Sequence, residues 1–243
     1  MLDSPDRYGE IRGAIEGKPA LKRFYLEVYR EYLRTQELCP SGGRSLEIGS
    51  GAGFAKQVLP ELITSDIVPY PGVDLVLDGT SLPYPDGSLR FICMTNVFHH
   101  IPDVSAFLRE AERCLVPGGR LLIVDQHVGL LSWPILRYLH HEPFAPTATE
   151  WKFQSQGPLS GANGALAWIV FRRDLRLFQR RFPALRLIRY QPHTPLLYWL
   201  CGGLKSWSLV PTWAIEAVMA ADRFLARVWP DSGSFVYIEL LRR

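Results

Sequence analysis

The feature that most constrains this chain is a glycine-rich stretch from Leu46 to Phe54, which reads Leu-Glu-Ile-Gly-Ser-Gly-Ala-Gly-Phe. Apolar residues lead into three glycines at alternate positions, and residues 54–59 have helical character. This order predicts a β-strand, a tight turn and the start of a helix. Glycines in such a turn let a ligand lie against the backbone, and the first turn of the helix offers unpaired N–H groups.

The residues around the glycines argue against a dinucleotide. The dinucleotide fingerprint G-x-G-x-x-G would need its third glycine at position 54, where this chain has Phe54. Glu47 stands two residues before the first glycine. Its carboxylate is a poor neighbour for a pyrophosphate but a good one for a cationic amino acid. A glycine turn without a ligand is the alternative that this stretch alone leaves open.

The composition limits the class of protein. The 243 residues predict a single domain over residues 1–243, and a net charge of +3 is too small to argue for a nucleic-acid partner. Four cysteines without C-x-x-C or metal-like spacing favour reduced thiols, a cytoplasmic location and no metal site. The N-terminal residues lack the apolar core of a signal peptide, and no apolar run is long enough to span a membrane.

Acidic residues lie at the ends of two further predicted strands. Residues 63–67 form a short strand that carries Asp66, and residues 73–79 form a third strand that ends in Asp78 and Gly79. A carboxylate at the end of the second strand is placed to accept hydrogen bonds from both hydroxyls of a ribose. Either aspartate alone is more typical of a turn or a helix cap. The two together, after the glycine turn, favour a nucleoside site.

The next motifs carry a resemblance to a known family. A fourth predicted strand, residues 89–96, leads into Asn-Val-Phe-His-His-Ile-Pro-Asp, whose Asp103 is predicted to cap a helix. A fifth strand is predicted over residues 119–125. With the glycine turn, these motifs resemble the type 11 branch of the class I S-adenosylmethionine (SAM)-dependent methyltransferases, whose first motif reads acidic-x-G-x-G-x-G. The resemblance covers about residues 44–126.

The resemblance implies a doubly wound α/β fold with a mostly parallel seven-stranded sheet, SAM as the cofactor and methyl transfer as the reaction. In the family, an Asp after the third strand bonds the exocyclic amine of adenine. The loop over residues 67–72 is a departure, since many relatives have a helix there. Residues 44–126 are therefore the expected cofactor-binding core, and the residues expected to bind the cofactor are Glu47, Gly49, Ser50, Gly51, Gly53, Asp66, Asp78, Gly79 and Asn96.

An N-terminal helical cap is expected over residues 1–40. Residues 19–38 have aromatic and apolar side chains at helical spacing, which predicts an amphipathic helix. Its aromatic stripe either packs against the domain or covers a ligand, and both alternatives stay open. Tyr8 and Arg12, before this helix, are placed to close over a cofactor.

The second half of the chain adds a helix, two strands and an insertion. A helix is predicted over residues 163–181, and its arginines form either a solvated face or a surface for an anionic acceptor or a membrane. The last two strands are predicted over residues 183–190 and 234–240. Between them, residues 194–229 form an apolar helical insertion that contains Trp199, Trp207, Trp213 and Trp229.

The insertion either packs on the domain or presents an apolar surface to a membrane, a partner or a greasy substrate. If the sixth strand runs parallel to the first five, the insertion leaves the sheet on the ligand side. We then expect it to form an apolar wall or lid over the acceptor.

Methyl transfer from a sulfonium depends mainly on positioning, because the cofactor supplies the electrophile. A hydroxyl or carbon acceptor would still benefit from a general base near neutral pH. The candidate bases are His99, His127, His140 and His141, with His100 beside the first of them.

We expect a small-molecule, hydrophobic or lipid-like acceptor, with peripheral membrane contact as a further expectation. One alternative is a non-catalytic SAM-fold protein that uses the aromatic insertion to bind a membrane or a partner. The other is a nicotinamide-dependent reductase, for which no Tyr-x-x-x-Lys pair is present.

Overall fold

The computed structural model describes residues 7–155, 157 and 160–243, so the expected cap before residue 7 lies outside the described residues. The sheet consists of β1 (Arg44–Ile48), β2 (Ile63–Asp66), β3 (Leu75–Val76), β4 (Leu89–Thr95), β5 (Leu115–Gln126), β6 (Leu185–His193) and β7 (Phe235–Arg242). Their spatial order is β3-β2-β1-β4-β5-β7-β6. Strand β7 is antiparallel to both of its neighbours, and the other pairs are parallel. The predicted fold class is confirmed.

Helices flank the sheet on both faces. They are α1 (Arg7–Gly17), α2 (Pro19–Glu37), α3 (Val104–Cys114), α4 (Ser132–Tyr138), α5 (Leu166–Trp168), α6 (Leu175–Arg181), α7 (Leu197–Leu200) and α8 (Ile215–Val228). Helix α2 begins at Pro19, as its sequence predicted, because proline suits the first helical position. The Asp103 side chain caps α3 by accepting a hydrogen bond from the Ala106 N–H at 2.9 Å. Among the described helices, none combines the length and the apolar character needed to cross a membrane.

Alternate side chains of the central strands point to opposite faces and build two hydrophobic cores. In β4, Ile92 and Met94 belong to one core, and Phe91 and Cys93 belong to the other. Helix α3 and residues 166–182 cover the first face. Helices α2, α7 and α8 contribute the buried residues that cover the second face.

Several predicted elements differ in extent from the observed ones. The helix expected after the glycine turn is only a 3₁₀ turn, Phe54–Gln57, because Pro60 disfavours a helical conformation at the residue before it. The third strand has two residues and lies at the sheet edge, where short strands limit unwanted pairing. Strand β5 begins at Leu115, directly after α3, rather than at residue 119. The helix expected over residues 163–181 is interrupted by a π-helical turn, Ile169–Arg173, closed by the Asp174 N–H donating to the Ile169 carbonyl at 2.8 Å.

The insertion over residues 194–229 packs against the N-terminal helices. Asp222 of α8 accepts hydrogen bonds from the Leu196 and Leu197 N–H groups, at 2.7 and 3.1 Å, and so ties α8 to the start of α7. The Lys18 ammonium donates to the Cys201 carbonyl at 3.0 Å and to the Lys205 carbonyl at 2.7 Å. Because β6 is parallel to β1–β5, the insertion leaves the sheet at the edge where the glycine turn lies, as expected.

Candidate active site

A cavity opens at the carboxyl ends of the parallel strands, where ligands bind in open α/β sheets. Its walls come from α1, α2, the glycine turn, the ends of β2 and β4 and the segment that follows β4. Of the residues predicted to bind the cofactor, Gly53 alone does not line the cavity. Those that do are Glu47, Gly49, Ser50, Gly51, Asp66, Asp78, Gly79 and Asn96.

The glycine turn brings the backbone to the cavity wall. Gly49 has a φ of +70°, and a Cβ atom there would lie 2.2 Å from Cγ2 of Val97. Gly51 has a φ of +54°, but a Cβ there would meet no atom within 4 Å, so this position borders open space. The Gly51 N–H donates to Asp66 Oδ2 at 2.9 Å, which holds the turn against the end of β2. Gly49 is therefore required for packing against Val97, and Gly51 keeps the space beside the turn open to a ligand.

Glu47 lines the cavity and has an unpaired carboxylate oxygen. The residue is 4% exposed, and its Oε2 atom is buried without a hydrogen-bond partner. Burial, with a smaller contribution from the nearby charge of Asp66, raises the pKa of Glu47 to about 7. A buried acceptor of this kind is costly unless a donor satisfies it. It fits the cationic amine of an amino acid.

The two aspartates occupy neighbouring positions in the wall. The Asp66 carboxylate accepts hydrogen bonds from the N–H groups of Gly51 and Val68, and burial raises its pKa. Asp78 accepts from the Thr80 N–H at 2.7 Å and from the Thr80 hydroxyl at 2.8 Å. Asp78 thus has the turn role that its sequence left open, and it also lines the cavity.

Asn96, just after β4, contributes a second unsatisfied acceptor. Its backbone has a φ of +57°, and its side-chain Oδ1 is buried without a hydrogen-bond partner. A non-glycine residue with positive φ is uncommon and often marks a functional position. Glu47 and Asn96, each with an unpaired buried oxygen, therefore line the same cavity.

The N-terminal helices close one side of the cavity. Tyr25 and Tyr29 of α2 line it, while other residues of the same stripe pack into the core, so the stripe has both of the roles left open by the sequence. Helix α1 contributes Arg7, Ile11 and Ile15, which the sequence analysis did not identify. Their spacing of four residues is the signal that would have placed them on one helical face.

Tyr8 and Arg12 hold α1 over the glycine turn. The Arg12 guanidinium donates to the Tyr8 hydroxyl at 3.1 Å and lies 5.7 Å from the centre of the Phe54 ring. Tyr70, in the loop that replaces a helix in many relatives, is buried, lines the cavity and approaches Tyr8 at 6.4 Å between ring centres. This side of the cavity is thus covered by aromatic side chains.

The four candidate bases do not line the cavity, whereas His100 does. His99 is 2% exposed and lies behind His100, with its Nδ1 2.6 Å from Asp125 Oδ1. His140 and His141 lie beside Glu142, with ring nitrogens 3.5 and 3.8 Å from its carboxylate.

His127 is buried elsewhere, 2.9 Å from the Tyr190 hydroxyl. Burial, followed by the positive charge of Arg172, lowers the pKa of His127 to about 4. The sequence identified the histidine-rich segment but not the member that faces the cavity.

Two arginines of the predicted basic face pair with carboxylates of the same chain. Arg172 contacts Asp231 at 2.7 Å, and Arg173 contacts Asp174 at 2.9 Å. A single residue of the insertion, Leu204, is among the described residues that line the cavity. The insertion therefore borders the cavity at one point, and most of its buried side chains support α2.

A sequence model described as a methyltransferase domain matches residues 21–162, which include the whole glycine turn and the histidine segment. The chain belongs to this methyltransferase domain family. The match also includes most of α2 and the ends of the strands that form the cavity.

Curated relatives of this methyltransferase domain cover different chemistries. A 2-methyl-6-phytyl-1,4-hydroquinone methyltransferase of Synechocystis is 27% identical over 129 residues, which covers 41% of this chain and 40% of the relative. Phosphoethanolamine N-methyltransferase 3 of Arabidopsis thaliana is 29% identical over 122 residues, which covers 41% of this chain and 24% of the relative. The chain spans less than half the length of the curated relatives it matches.

Solved structures agree in fold. One is a chain from the Haloferax volcanii complex that contains the Trm112 methyltransferase activator, with a TM-score of 0.52, 13% identity and coverage of 96% of this chain and 97% of that one. Another is geranyl diphosphate C-methyltransferase from Streptomyces coelicolor, with a TM-score of 0.50, 13% identity and coverage of 92% of this chain and 82% of that one. These similarities establish the methyltransferase fold of the chain.

Proposed function

We propose that this protein binds SAM in the cavity and transfers its methyl group to a hydrophobic small molecule. The observation that carries the proposal is the buried, unpaired carboxylate oxygen of Glu47 beside a glycine turn. A nicotinamide dinucleotide would bring a pyrophosphate to this turn, and a carboxylate would repel it. Membership of the methyltransferase domain family supports the same reading.

Each wall residue has a separate task in this proposal. Glu47 binds the ammonium group of the amino-acid part, and the backbone at Gly49 and Gly51 allows close approach. Asp66 accepts hydrogen bonds from the ribose hydroxyls, and Asp78 offers its second oxygen to the adenine amine. Bound SAM supplies a methyl group on a positively charged sulfur. Tyr25 and Tyr29 exclude water and hold the reactants in place.

The acceptor is proposed to be hydrophobic because the wall beyond His100 is apolar. Ile101, Pro102 and Leu204 line this part of the cavity. A prenylated hydroquinone fits such a wall better than a charged amine does, since burying an unpaired charge is costly. Phosphoethanolamine is the contrasting acceptor suggested by a relative's name.

The proposal is tested by methyl transfer from isotope-labelled SAM. The protein is incubated with a prenylated hydroquinone in detergent or with phosphoethanolamine, and methylated products are identified by mass spectrometry. We expect label in the hydroquinone product only, and none with Gly51→Val, whose side chain would enter the open space of the cavity. Transfer to phosphoethanolamine alone would refute the hydrophobic acceptor. SAM binding without any product would favour the non-catalytic alternative.

We also propose that exposed apolar side chains bring the protein to lipid surfaces where such acceptors reside. Trp213 is 86% exposed and Leu209 is 71% exposed, both in the insertion. Tryptophan favours the interface between water and lipid. Trp213→Ala should reduce co-sedimentation with phosphatidylglycerol vesicles. Val76→Ser, at an exposed position on the edge strand β3, is the control that should not. Equal vesicle binding by the two variants would contradict the proposed lipid contact of the insertion.

A further inference from the structure

Two segments that are distant in sequence bring nitrogen and oxygen ligands together at His100. His99 and His100 follow β4, and Glu142 lies in the loop after α4. One ligand atom from each of these three residues lies within 4.8 Å of the others. We propose that His99, His100 and Glu142 bind one divalent first-row transition-metal ion, with Zn²⁺ as the representative ion.

The distances between the ligand atoms suit a single ion. His99 Nε2 lies 3.2 Å from Glu142 Oε2, and His100 Nε2 lies 3.4 Å from Glu142 Oε1. Two donors about 2.1 Å from one tetrahedral ion are about 3.4 Å apart. Two imidazoles and one carboxylate favour zinc or iron over magnesium or calcium, which prefer oxygen ligands alone.

Both imidazoles are oriented as metal ligands are. The Nδ1–H of His99 donates to Asp125 Oδ1 at 2.6 Å, and the Nδ1–H of His100 donates to the Gly161 carbonyl at 3.0 Å. These acceptors cannot donate, so Nδ1 of each ring carries a proton and Nε2 is the ring nitrogen that faces Glu142. Such a hydrogen bond from the second ring nitrogen is a regular feature of metal-binding histidines.

Further hydrogen bonds hold the carboxylates of Asp125 and Glu142 in place. Asp125 is fully buried and also accepts hydrogen bonds from the backbone N–H groups of His99 and Gln126, at 3.2 and 2.6 Å. The Gln126 side-chain amide donates to Glu142 Oε2 at 3.2 Å. His140 Nδ1, 3.5 Å from the same oxygen, stands at the edge of the cluster. The ligands are thus held in place without relying on the ion.

Three protein ligands leave a coordination position for water or for an acceptor oxygen, as in catalytic zinc sites. Since His100 lines the cavity, that position is next to the space proposed for the acceptor. A bound ion makes a hydroxyl group more acidic, which favours a hydroxylated acceptor. This role rests on the proposed function, whereas metal binding itself does not.

Calorimetric titration of metal-free protein with Zn²⁺, in the absence of SAM, tests the site. We expect one ion per chain and a loss of about 100-fold or more in affinity for Glu142→Gln and for His100→Ala. Asp125→Asn should weaken binding by about 10–100-fold without changing the stoichiometry. The matched control is His141→Ala, because His141 is 60% exposed and lies outside the three-ligand group. The Zn²⁺ affinity of this variant should equal that of the wild type.

X-ray absorption at the zinc edge identifies the ligand atoms in the Zn²⁺-bound wild-type protein, so the test does not depend on whether a variant folds. Two imidazoles and oxygen in the first coordination shell are expected, and a sulfur ligand would place the ion on a cysteine and overturn the proposal. Equal Zn²⁺ affinity in wild type, Glu142→Gln and His100→Ala would also overturn it. Titration of the same metal-free protein with S-adenosylhomocysteine reports on the proposed function separately, because either ligand can bind while the other fails.

Discussion

Replacing Glu47 by glutamine is expected to weaken cofactor binding and to remove its dependence on pH. In the free protein the pKa of Glu47 is about 7, chiefly because the residue is buried. An ammonium group binds the ionised carboxylate and lowers that pKa. Binding therefore releases a proton, and the affinity should rise as pH increases and level off above about pH 7.

Near neutral pH Glu47 changes its charge, whereas the titratable side chains that face it do not. Tyr29, Tyr32 and Cys93 face it, and burial raises the pKa of each of these groups, so they stay neutral. Asp66 adds a negative charge that raises the pKa of Glu47. A hydrogen bond to a charged group contributes about 1.5–3 kcal/mol, which corresponds to a roughly 10–150-fold change in affinity.

The assay is calorimetry with S-adenosylhomocysteine, which keeps the ammonium group and is not consumed. For the wild type we expect about half a proton released at about pH 7, and an affinity that falls by up to about tenfold per pH unit below that value. Glu47→Gln should show the roughly 10–150-fold loss near pH 8 and a flat pH profile. Glu61→Gln, at an exposed position, should behave as the wild type does. A flat wild-type profile would refute the assigned role of Glu47.

Three further outcomes follow from the contacts described above. Asp66→Ala should weaken S-adenosylhomocysteine binding by about 1.5–3 kcal/mol in the same titration, and normal binding by the folded variant would remove Asp66 from the site. Gly49→Ala should lower the melting temperature, because its Cβ would lie 2.2 Å from Val97 at a φ of +70°, and an unchanged value would contradict that packing. Glu239→Gln should cost about 1.5–3 kcal/mol in denaturant unfolding, because this residue is 2% exposed and pairs with arginines from three elements. Glu27→Gln, in an exposed pair, is the control and should cost about 1 kcal/mol or less.

The sequence was most informative where local pattern and chemistry coincide. The glycine turn, the strand ends at Asp66 and Asp78 and the capped helix α3 all depend on neighbouring residues, so their places in the fold were predicted. Helix α2 was predicted almost to the residue because proline starts it and its apolar positions recur at helical spacing.

The histidine cluster could be predicted only in part. Asp125 is the second-last residue of β5 and His99 follows the neighbouring strand β4, so their contact is implicit in the strand order. Glu142 reaches the cluster through an irregular loop after α4, and no periodicity indicates where such a loop leads. Which of His99 and His100 faces the cavity depends on the backbone of the 3₁₀ turn Phe98–His100, which the motif does not specify.

The insertion shows the same limit for long-range packing. Its apolar composition was clear, but composition does not distinguish a side chain that supports α2 from one that faces solvent. Leu197 and Met219 are buried, whereas Trp213 and Leu209, of similar hydrophobicity, are exposed. Asp222, whose burial raises its pKa to about 6, determines part of this arrangement by accepting two backbone hydrogen bonds from a segment 25 residues or more away.

The most direct test of the central claim is the equilibrium binding of S-adenosylhomocysteine, NAD and NADP to the wild-type protein, measured by calorimetry under identical conditions. The unpaired Glu47 oxygen, the glycine turn and Asp66 predict a dissociation constant of about micromolar size for S-adenosylhomocysteine and no measurable binding of either dinucleotide. Tighter binding of NAD or NADP than of S-adenosylhomocysteine would contradict the assignment of the cavity as a SAM site.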